Sequence, residues 1–361
     1  LDANTTGANN TAVGMLSLST NTTASANTAV GRAALKANTT GSTNVAVGCD
    51  ALSSNTTGDE NTIIGREAGC SNTTGNCNTA LGARSLKSNT EGFGNIAIGY
   101  HALCTNTTGS VNLAVGFCAM ESNLTGASNT AVGTNTLQAN TTGADNTAVG
   151  RSALVKNTTG LCNTSMGGNA LTCNTTGCYN TAHGRDSMQA NTTANSNTAL
   201  GYAAVQNNTT GCNNVGVGQG SARCNTTGNC NTAIGSDAME RVTTGNQNTG
   251  VGRLAGKGVT DGDGNTYLGF IAGCQITTGC YNTYVGAETA ASSATVLFEQ
   301  VFGRGGTGKG SGTFFSTSSA NGVFNTANTT TWAQTSDRRI KKNIVNNNTG
   351  LDKINQIQVR D

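Results

Sequence analysis

An apolar and polar pattern with a fixed period of 17 residues runs through most of the chain. Each repeat opens on an Asn that is followed four residues later by Gly, and this pair recurs without an insertion from Asn10 to Asn282. With that Asn as position 1, position 4 is apolar everywhere except at His183, position 8 is small, and position 9 is usually Leu or Met. Positions 12 to 15 read Asn-Thr-Thr-Gly in most repeats. Such a period is typical of stacked units that contact only their neighbours.

The repeat predicts short strands and tight turns rather than helices. Positions 2 and 4 alternate with a small residue at position 3, which favours a strand, while two Gly per repeat and many β-branched residues oppose a helix. Asn-Thr-Thr-Gly favours a turn. We therefore predict an all-β fold with two short strands per repeat, each repeat forming one coil of a β-solenoid or β-roll.

The stacked coils predict a thin rod. Coils ~4.8 Å apart give a rod roughly 80 Å long. The Val row at position 4 and the Leu row at position 9 are expected to form a narrow core, and the Asn and Thr rows are expected to form hydrogen-bonded ladders. The small residue at position 8 predicts contact either with another chain or with a closely packed opposite wall.

Composition supports a fibrous protein and excludes several function classes. Only 35% of the residues are hydrophobic and 4% are aromatic, and there is no Pro to interrupt a backbone ladder. The net charge of +2 includes no basic stripe, so no nucleic-acid partner is expected. No apolar run reaches the length of a membrane span, so no membrane insertion is expected. Because the chain begins inside a repeat at Leu1, we expect a fragment or a processed product.

Thirteen cysteines predict disulfides and an oxidising location. Four pairs bracket the Asn-Thr-Thr-Gly turn or its variant, and each is expected to close across one turn: Cys70 with Cys77, Cys173 with Cys178, Cys224 with Cys230, and Cys274 with Cys280. The remaining cysteines pair between coils or between chains, or stay free. They are Cys49, Cys104, Cys118, Cys162 and Cys212. No Cys cluster lies close to a His in the sequence, so we expect no metal site and no cofactor.

The Asn-Thr-Thr triplet is also an N-glycosylation sequon. Candidate acceptors are Asn38, Asn55, Asn106, Asn140 and Asn157. The alternative, which we favour, is that Asn and Thr serve turns and ladders. Regular Thr rows also allow an ice-binding hypothesis for a single-chain solenoid.

The repeat resembles the head of trimeric autotransporter adhesins, which carry a short Asn-x-x-Ala-Ile-Gly core. The matching segments here include Asn27 to Gly31 and Asn95 to Gly99, and the resemblance covers about residues 4 to 290. It implies a left-handed parallel β-roll whose three chains wrap a common axis. The repeat here is a few residues longer, with the extra residues in the Asn-Thr-Thr-Gly turn.

The C-terminal segment resembles the start of the intramolecular chaperone domain of viral tail fibres and tailspikes. Residues 332 to 344 carry Trp332, then Ser336-Asp337-Arg338-Arg339, and Lys341. The resemblance implies self-cleavage after Thr335 by a dyad of Ser336 and Lys341, a single-turnover reaction in which Lys acts as the base. Only about 26 residues of that domain are present, so it is expected to be truncated. The alternative is a surface turn with solvated basic residues.

These patterns predict three segments and a structural role. Residues 1–290 are expected to form the shaft, 291–335 a β-rich cap or connector, and 336–361 the start of the chaperone. The expected function is that of a homotrimeric adhesive fibre rather than an enzyme, displayed extracellularly on a virion or cell surface. Its expected partners are copies of itself and a host surface receptor, with a glycan among the candidate receptors. The alternatives are a secreted bacterial trimeric adhesin and the single-chain ice-binding solenoid.

Overall fold

A computed structural model describes residues 3–317, 322–326 and the backbone of 333–334. Strands are the only regular elements in this part of the chain. The seventeen three-residue strands of the repeats are β1 (Thr11–Val13), β2 (Thr28–Val30), β3 (Val45–Val47), β4 (Thr62–Ile64), β5 (Thr79–Leu81), β6 (Ile96–Ile98), β7 (Leu113–Val115), β8 (Thr130–Val132), β9 (Thr147–Val149), β10 (Thr164–Met166), β11 (Thr181–His183), β12 (Thr198–Leu200), β13 (Val215–Val217), β14 (Thr232–Ile234), β15 (Thr249–Val251), β16 (Thr266–Leu268) and β17 (Thr283–Val285).

The strands form a parallel β-solenoid of about 18 turns. Each strand pairs in parallel with its equivalent one repeat later, for example Ala29 with Ala46 and Val30 with Val47. The predicted all-β solenoid with a 17-residue period is therefore confirmed. Because the register shift equals the repeat, identical positions stack into rows along the rod.

The C-terminal end closes the solenoid with antiparallel pairing. Four strands complete the described structure: β18 (Gln300–Gly303), β19 (Phe314–Thr317), β20 (Gly322–Asn325) and β21 (Ala333–Gln334). Parallel pairing continues through β18 and β19, beyond the repeats, whereas β19 pairs with β20 and β20 with β21 in antiparallel fashion. An antiparallel end covers the strand edge that an open solenoid would expose.

Each coil contains one strand, so the prediction of two strands per repeat was wrong. The segment after the position 5 Gly is hydrogen-bonded between coils but is not extended. In one coil Ala33 and Leu35 have left-handed φ values of 55° and 50°. Their amides donate in opposite directions, from Ala33 to the Met15 carbonyl at 2.9 Å and from Leu35 to the Ala51 carbonyl at 3.0 Å. Left-handed non-Gly residues cost energy, and the repeated hydrogen bonds between coils offset that cost.

The core is narrow and is filled from positions 3, 8 and 9. Ala29, Ala34 and Leu35 are fully buried, and the same positions are buried in nearly every coil. The small position 8 therefore packs against an opposite wall of its own chain, which was one of the two predicted alternatives. Position 4 does not enter this core, so the prediction of a Val row inside the rod was wrong.

In some coils a large side chain at position 3 is accompanied by a Gly at position 9 of the same coil. Tyr267 replaces the usual Ala at position 3, and Gly273 replaces the usual Leu at position 9 of the same coil. A Cβ atom on Gly273 would lie 2.5 Å from the Tyr267 ring. Ile63 and Gly69 form a second pair of this kind, with a corresponding distance of 3.4 Å. This compensation keeps the coil cross-section constant, as dense packing requires.

Candidate functional site

The outer strand face follows the rod through all seventeen repeats. It consists of the side chains at positions 2 and 4, which point away from the core because the residue between them points inward. The position 4 row holds Val13, Val30, Val47, Ile64, Leu81, Ile98, Val115, Val132, Val149, Met166, His183, Leu200, Val217, Ile234, Val251, Leu268 and Val285.

Large apolar side chains on this face are open to solvent in the single chain. Val13 is 57% exposed, Leu81 48% and Leu268 47%. None of the chain's 20 Lys and Arg or 18 Asp and Glu residues occupies position 2 or 4 of these coils. This uncharged face, apolar at position 4 except at His183 and mainly Thr at position 2, is far longer than the scattered exposed residues of an ordinary surface, so it is a candidate interaction site.

His183 lies on this outer face and is exposed. Its backbone pairs with Met166 on one side and Leu200 on the other. The prediction had placed it in an apolar core row. The row is apolar, but it faces outward.

Two buried Asn ladders run along the inside of the rod. At position 12, Asn106 Nδ2 donates to Asn89 Oδ1 at 2.8 Å and to the Gly109 carbonyl at 2.9 Å, while Asn106 Oδ1 accepts from Asn123. At position 1, the backbone N–H of Asn44 donates to Asn27 Oδ1 at 2.9 Å. The predicted ladders are therefore confirmed.

The candidate glycosylation sites belong to the position 12 ladder. Each is fully buried: Asn38, Asn55, Asn106, Asn140 and Asn157. Each side-chain nitrogen donates both to the preceding Asn and to a turn carbonyl. A glycan on that nitrogen would displace these bonds, so the folded rod has no room for one at these positions.

All thirteen cysteines are free thiols in the structure. The predicted pairs within one coil are not formed: Cys70 with Cys77, Cys173 with Cys178, Cys224 with Cys230, and Cys274 with Cys280. For the first pair the orientation of the sulfurs explains this. Cys70 Sγ lies 3.7 Å from the Lys87 carbonyl in the next coil, whereas Cys77 Sγ lies 3.4 Å from Glu60 Oε2 in the preceding coil. The two sulfurs therefore face opposite neighbours.

A polar cluster at positions 7 and 10 escaped the sequence analysis. His101 Nδ1 lies 3.1 Å from Glu121 Oε1 in the next coil, and Gln138 donates to Glu121 Oε2 at 2.8 Å. The hydrogen bonds from Gln138 and His101 lower the pKa of Glu121. Cys118, which is buried beside this carboxylate, has its pKa raised to about 11 by burial and by the Glu121 charge. His101 and Glu121 are 20 residues apart, and Glu121 and Gln138 are 17 residues apart. Polar side chains separated by about one repeat are therefore the sequence signal for such a cluster.

The predicted self-cleavage site lies outside the described residues. Thr335, Ser336 and Lys341 all fall in that part of the chain, so the dyad stays a prediction. Among the residues that the structure does describe, no group of three or more His, Cys, Asp or Glu side chains is arranged to hold a metal ion. The same part of the chain contains no helix with the length and apolarity needed to cross a bilayer.

Comparisons with known proteins leave the family open. No protein-family model matches the chain, and no curated protein matches it.

Proposed function

We propose that the chain is the shaft of a homotrimeric adhesive fibre displayed on a virion or cell surface. The observation that carries the proposal is the outer strand face, where an uncharged and, except at His183, apolar row at position 4 runs in constant register along the whole rod beside a mainly Thr row at position 2. Burying such a stripe between copies of the same rod would remove its apolar side chains from water. The number of copies, three around a common axis, is taken from the resemblance to adhesin heads.

The remaining surface of the coil supports the attachment role. Variable residues occupy the turns at positions 6, 7, 10, 11, 16 and 17, away from the outer strand face. They include exposed aromatic residues such as Phe117, Tyr179 and Tyr202. Aromatic side chains are enriched where proteins bind partners. The turns are therefore the surface we assign to a host receptor, including one that carries glycans.

A substitution on the outer strand face tests the assembly. Ile64 and Leu81 are neighbours in register on this face. We expect native mass spectrometry to give the wild type the mass of three chains, each 36.2 kDa before any cleavage, and to show the variant with Ile64→Lys and Leu81→Lys as a monomer. Three copies of each Lys would meet in an apolar interface, where unpaired charge is costly.

The control places the same charges on the exposed turn, as Thr57→Lys and Thr74→Lys. This variant should stay trimeric. In a single-chain rod, both double variants would be nearly neutral, within about 0.5 kcal/mol per site. A monomeric wild-type protein would contradict the proposed homotrimer.

The single-chain ice-binding solenoid is the second candidate, because Thr side chains at position 2 stand in register beside the apolar row. A monomeric wild type that shows thermal hysteresis would support it. A trimer without thermal hysteresis would exclude it.

The resemblance at the C-terminus predicts self-cleavage of the full-length product. Denaturing mass spectrometry should show a wild-type chain that ends at Thr335, while Ser336→Ala remains uncut. The Ser hydroxyl is the expected nucleophile and Lys341 its base, so Lys341→Ala should also remain uncut. Ser311→Ala provides the control, because that residue lies outside the matching segment and should leave cleavage intact. Cleavage that persists in Ser336→Ala would contradict the assignment.

A further inference from the structure

Cysteines of neighbouring coils stand beside each other at two places on the turn formed by positions 16 and 17. Cys212 occupies position 16, and Cys230 occupies position 17 of the next coil. Cys162 occupies position 17, and Cys178 occupies position 16 of the next coil. All four are at least partly exposed. Neither pair is among the four pairs within one coil that the sequence predicted.

The backbone brings Cys212 and Cys230 within reach of a disulfide. The Cys230 amide donates directly to the Cys212 carbonyl at 3.0 Å. Coils lie ~4.8 Å apart and successive Cα atoms ~3.8 Å apart, so the diagonal between these residues is about 6 Å. Disulfides join Cα atoms that are roughly 4.4 to 6.8 Å apart. Cys212 Sγ now accepts from the Asn195 amide at 3.4 Å, and a rotation about its Cα–Cβ bond is needed to turn it toward Cys230.

Cys162 and Cys178 lie on the opposite diagonal, because the earlier coil contributes position 17 and the later coil contributes position 16. The same coil and Cα spacings give this diagonal a length of about 6 Å as well. Cys178 Sγ lies 3.3 Å from the amide nitrogen of Leu161, the residue directly before Cys162. The sulfur of Cys178 is therefore already directed toward the coil that carries Cys162.

We propose that Cys212–Cys230 and Cys162–Cys178 are inter-coil disulfide sites, formed by exchange with a small-molecule disulfide such as oxidised glutathione. The thiolate of one cysteine attacks a glutathione sulfur and releases one glutathione thiolate. The second cysteine then attacks the protein sulfur of this mixed disulfide and releases the second glutathione. The two thiol protons end on two molecules of reduced glutathione, so atoms and electrons balance. Each bridge holds one coil to the next and prevents the two from separating at that turn.

Peptide mapping tests the first bridge directly. The reduced protein is treated with oxidised glutathione, its remaining thiols are alkylated, and it is digested with trypsin. Arg223 separates Cys212 in peptide 186–223 from Cys224 and Cys230 in peptide 224–241. We expect these two peptides to be linked and the link to survive Cys224→Ser. In Cys230→Ser the link should be lost and Cys212 should become alkylated. A disulfide confined to peptide 224–241, or complete alkylation of Cys212 and Cys230, would overturn the proposal.

The second bridge needs single variants because Cys162, Cys173 and Cys178 share the tryptic peptide 157–185. We expect a disulfide in Cys173→Ser and none in Cys162→Ser. The opposite pattern would assign the bridge to Cys173 and Cys178 and overturn the inter-coil pairing. Cys104 and Cys118 serve as internal controls in every digest. Both are buried, and burial raises the pKa of each thiol, so they should remain unoxidised.

Discussion

Replacing Gly116 by Ala should lower the free energy of unfolding of the shaft by about 2 to 6 kcal/mol. Gly116 has a φ of 141°, a region that essentially only Gly occupies. Its missing Cβ would lie 2.4 Å from the Gly133 oxygen and 2.7 Å from the Gly133 carbonyl carbon in the next coil. Those atoms belong to the backbone of Gly133, whose amide is bonded to the Val115 carbonyl, so they cannot move away without separating two coils. The Ala side chain therefore adds both backbone strain and overlap.

Hydrogen exchange is the appropriate measurement, because solenoids open locally as well as globally. The Gly133 amide, which donates to the Val115 carbonyl at 2.8 Å, should lose protection in Gly116→Ala. Gly168→Ala is the matched control. A Cβ atom at Gly168 would meet nothing within 4 Å, so that substitution should change stability by no more than about 0.5 kcal/mol. Equal melting temperatures for the two variants would contradict this account.

The architecture of the shaft was predictable because the repeat itself determines the register. A strictly constant interval of 17 residues places Asn27 beside Asn44 and Val30 beside Val47 in any stacked fold. The ladders follow from the same stacking. Their hydrogen bonds need no information beyond the identity of the residue one repeat away.

The direction in which the strand faces was not predictable from polarity alone. Val30 is larger and more apolar than Ala29, so hydrophobicity places Val30 inside. The coil is too narrow for that arrangement, because Leu35 already fills the interior opposite the strand. The size compensation between positions 3 and 9, as in Tyr267 with Gly273, was the signal in the sequence that position 3 points inward.

The second half of the coil escaped prediction because its conformation is uncommon. Residues such as Leu35 rarely adopt a left-handed φ, and no local sequence rule predicts it for Leu. The hydrogen bonds to both neighbouring coils stabilise it, and these exist only in the stack. The consequence for the candidate site is direct, since the single strand of each coil leaves large apolar side chains such as Leu81 exposed on its outer face.

Asn106→Asp should destabilise the shaft by about 3 to 5 kcal/mol near pH 7 and by much less near pH 3. Asn106 donates from Nδ2 to Asn89 Oδ1 and to the Gly109 carbonyl, and it is fully buried. An ionised carboxylate would present an oxygen to both of those acceptors and would bury a charge that has the Asn123 amide as a donor but no opposite charge beside it. A protonated carboxyl restores one donor and removes the charge.

The sign of the pH dependence follows from burial. Burial and the neighbouring oxygens raise the folded-state pKa of the introduced carboxyl above its unfolded value of about 3.9. The variant is therefore closest to wild type below that unfolded value, and it loses stability as the pH rises through the raised folded value. Asn207→Asp, on an exposed turn, is the matched control and should track wild type at every pH. Thermal melts from about pH 3 to about pH 8 measure the difference. A destabilisation of Asn106→Asp that is the same across this range would mean that the ladder at Asn106 does not exclude charge as the structure indicates.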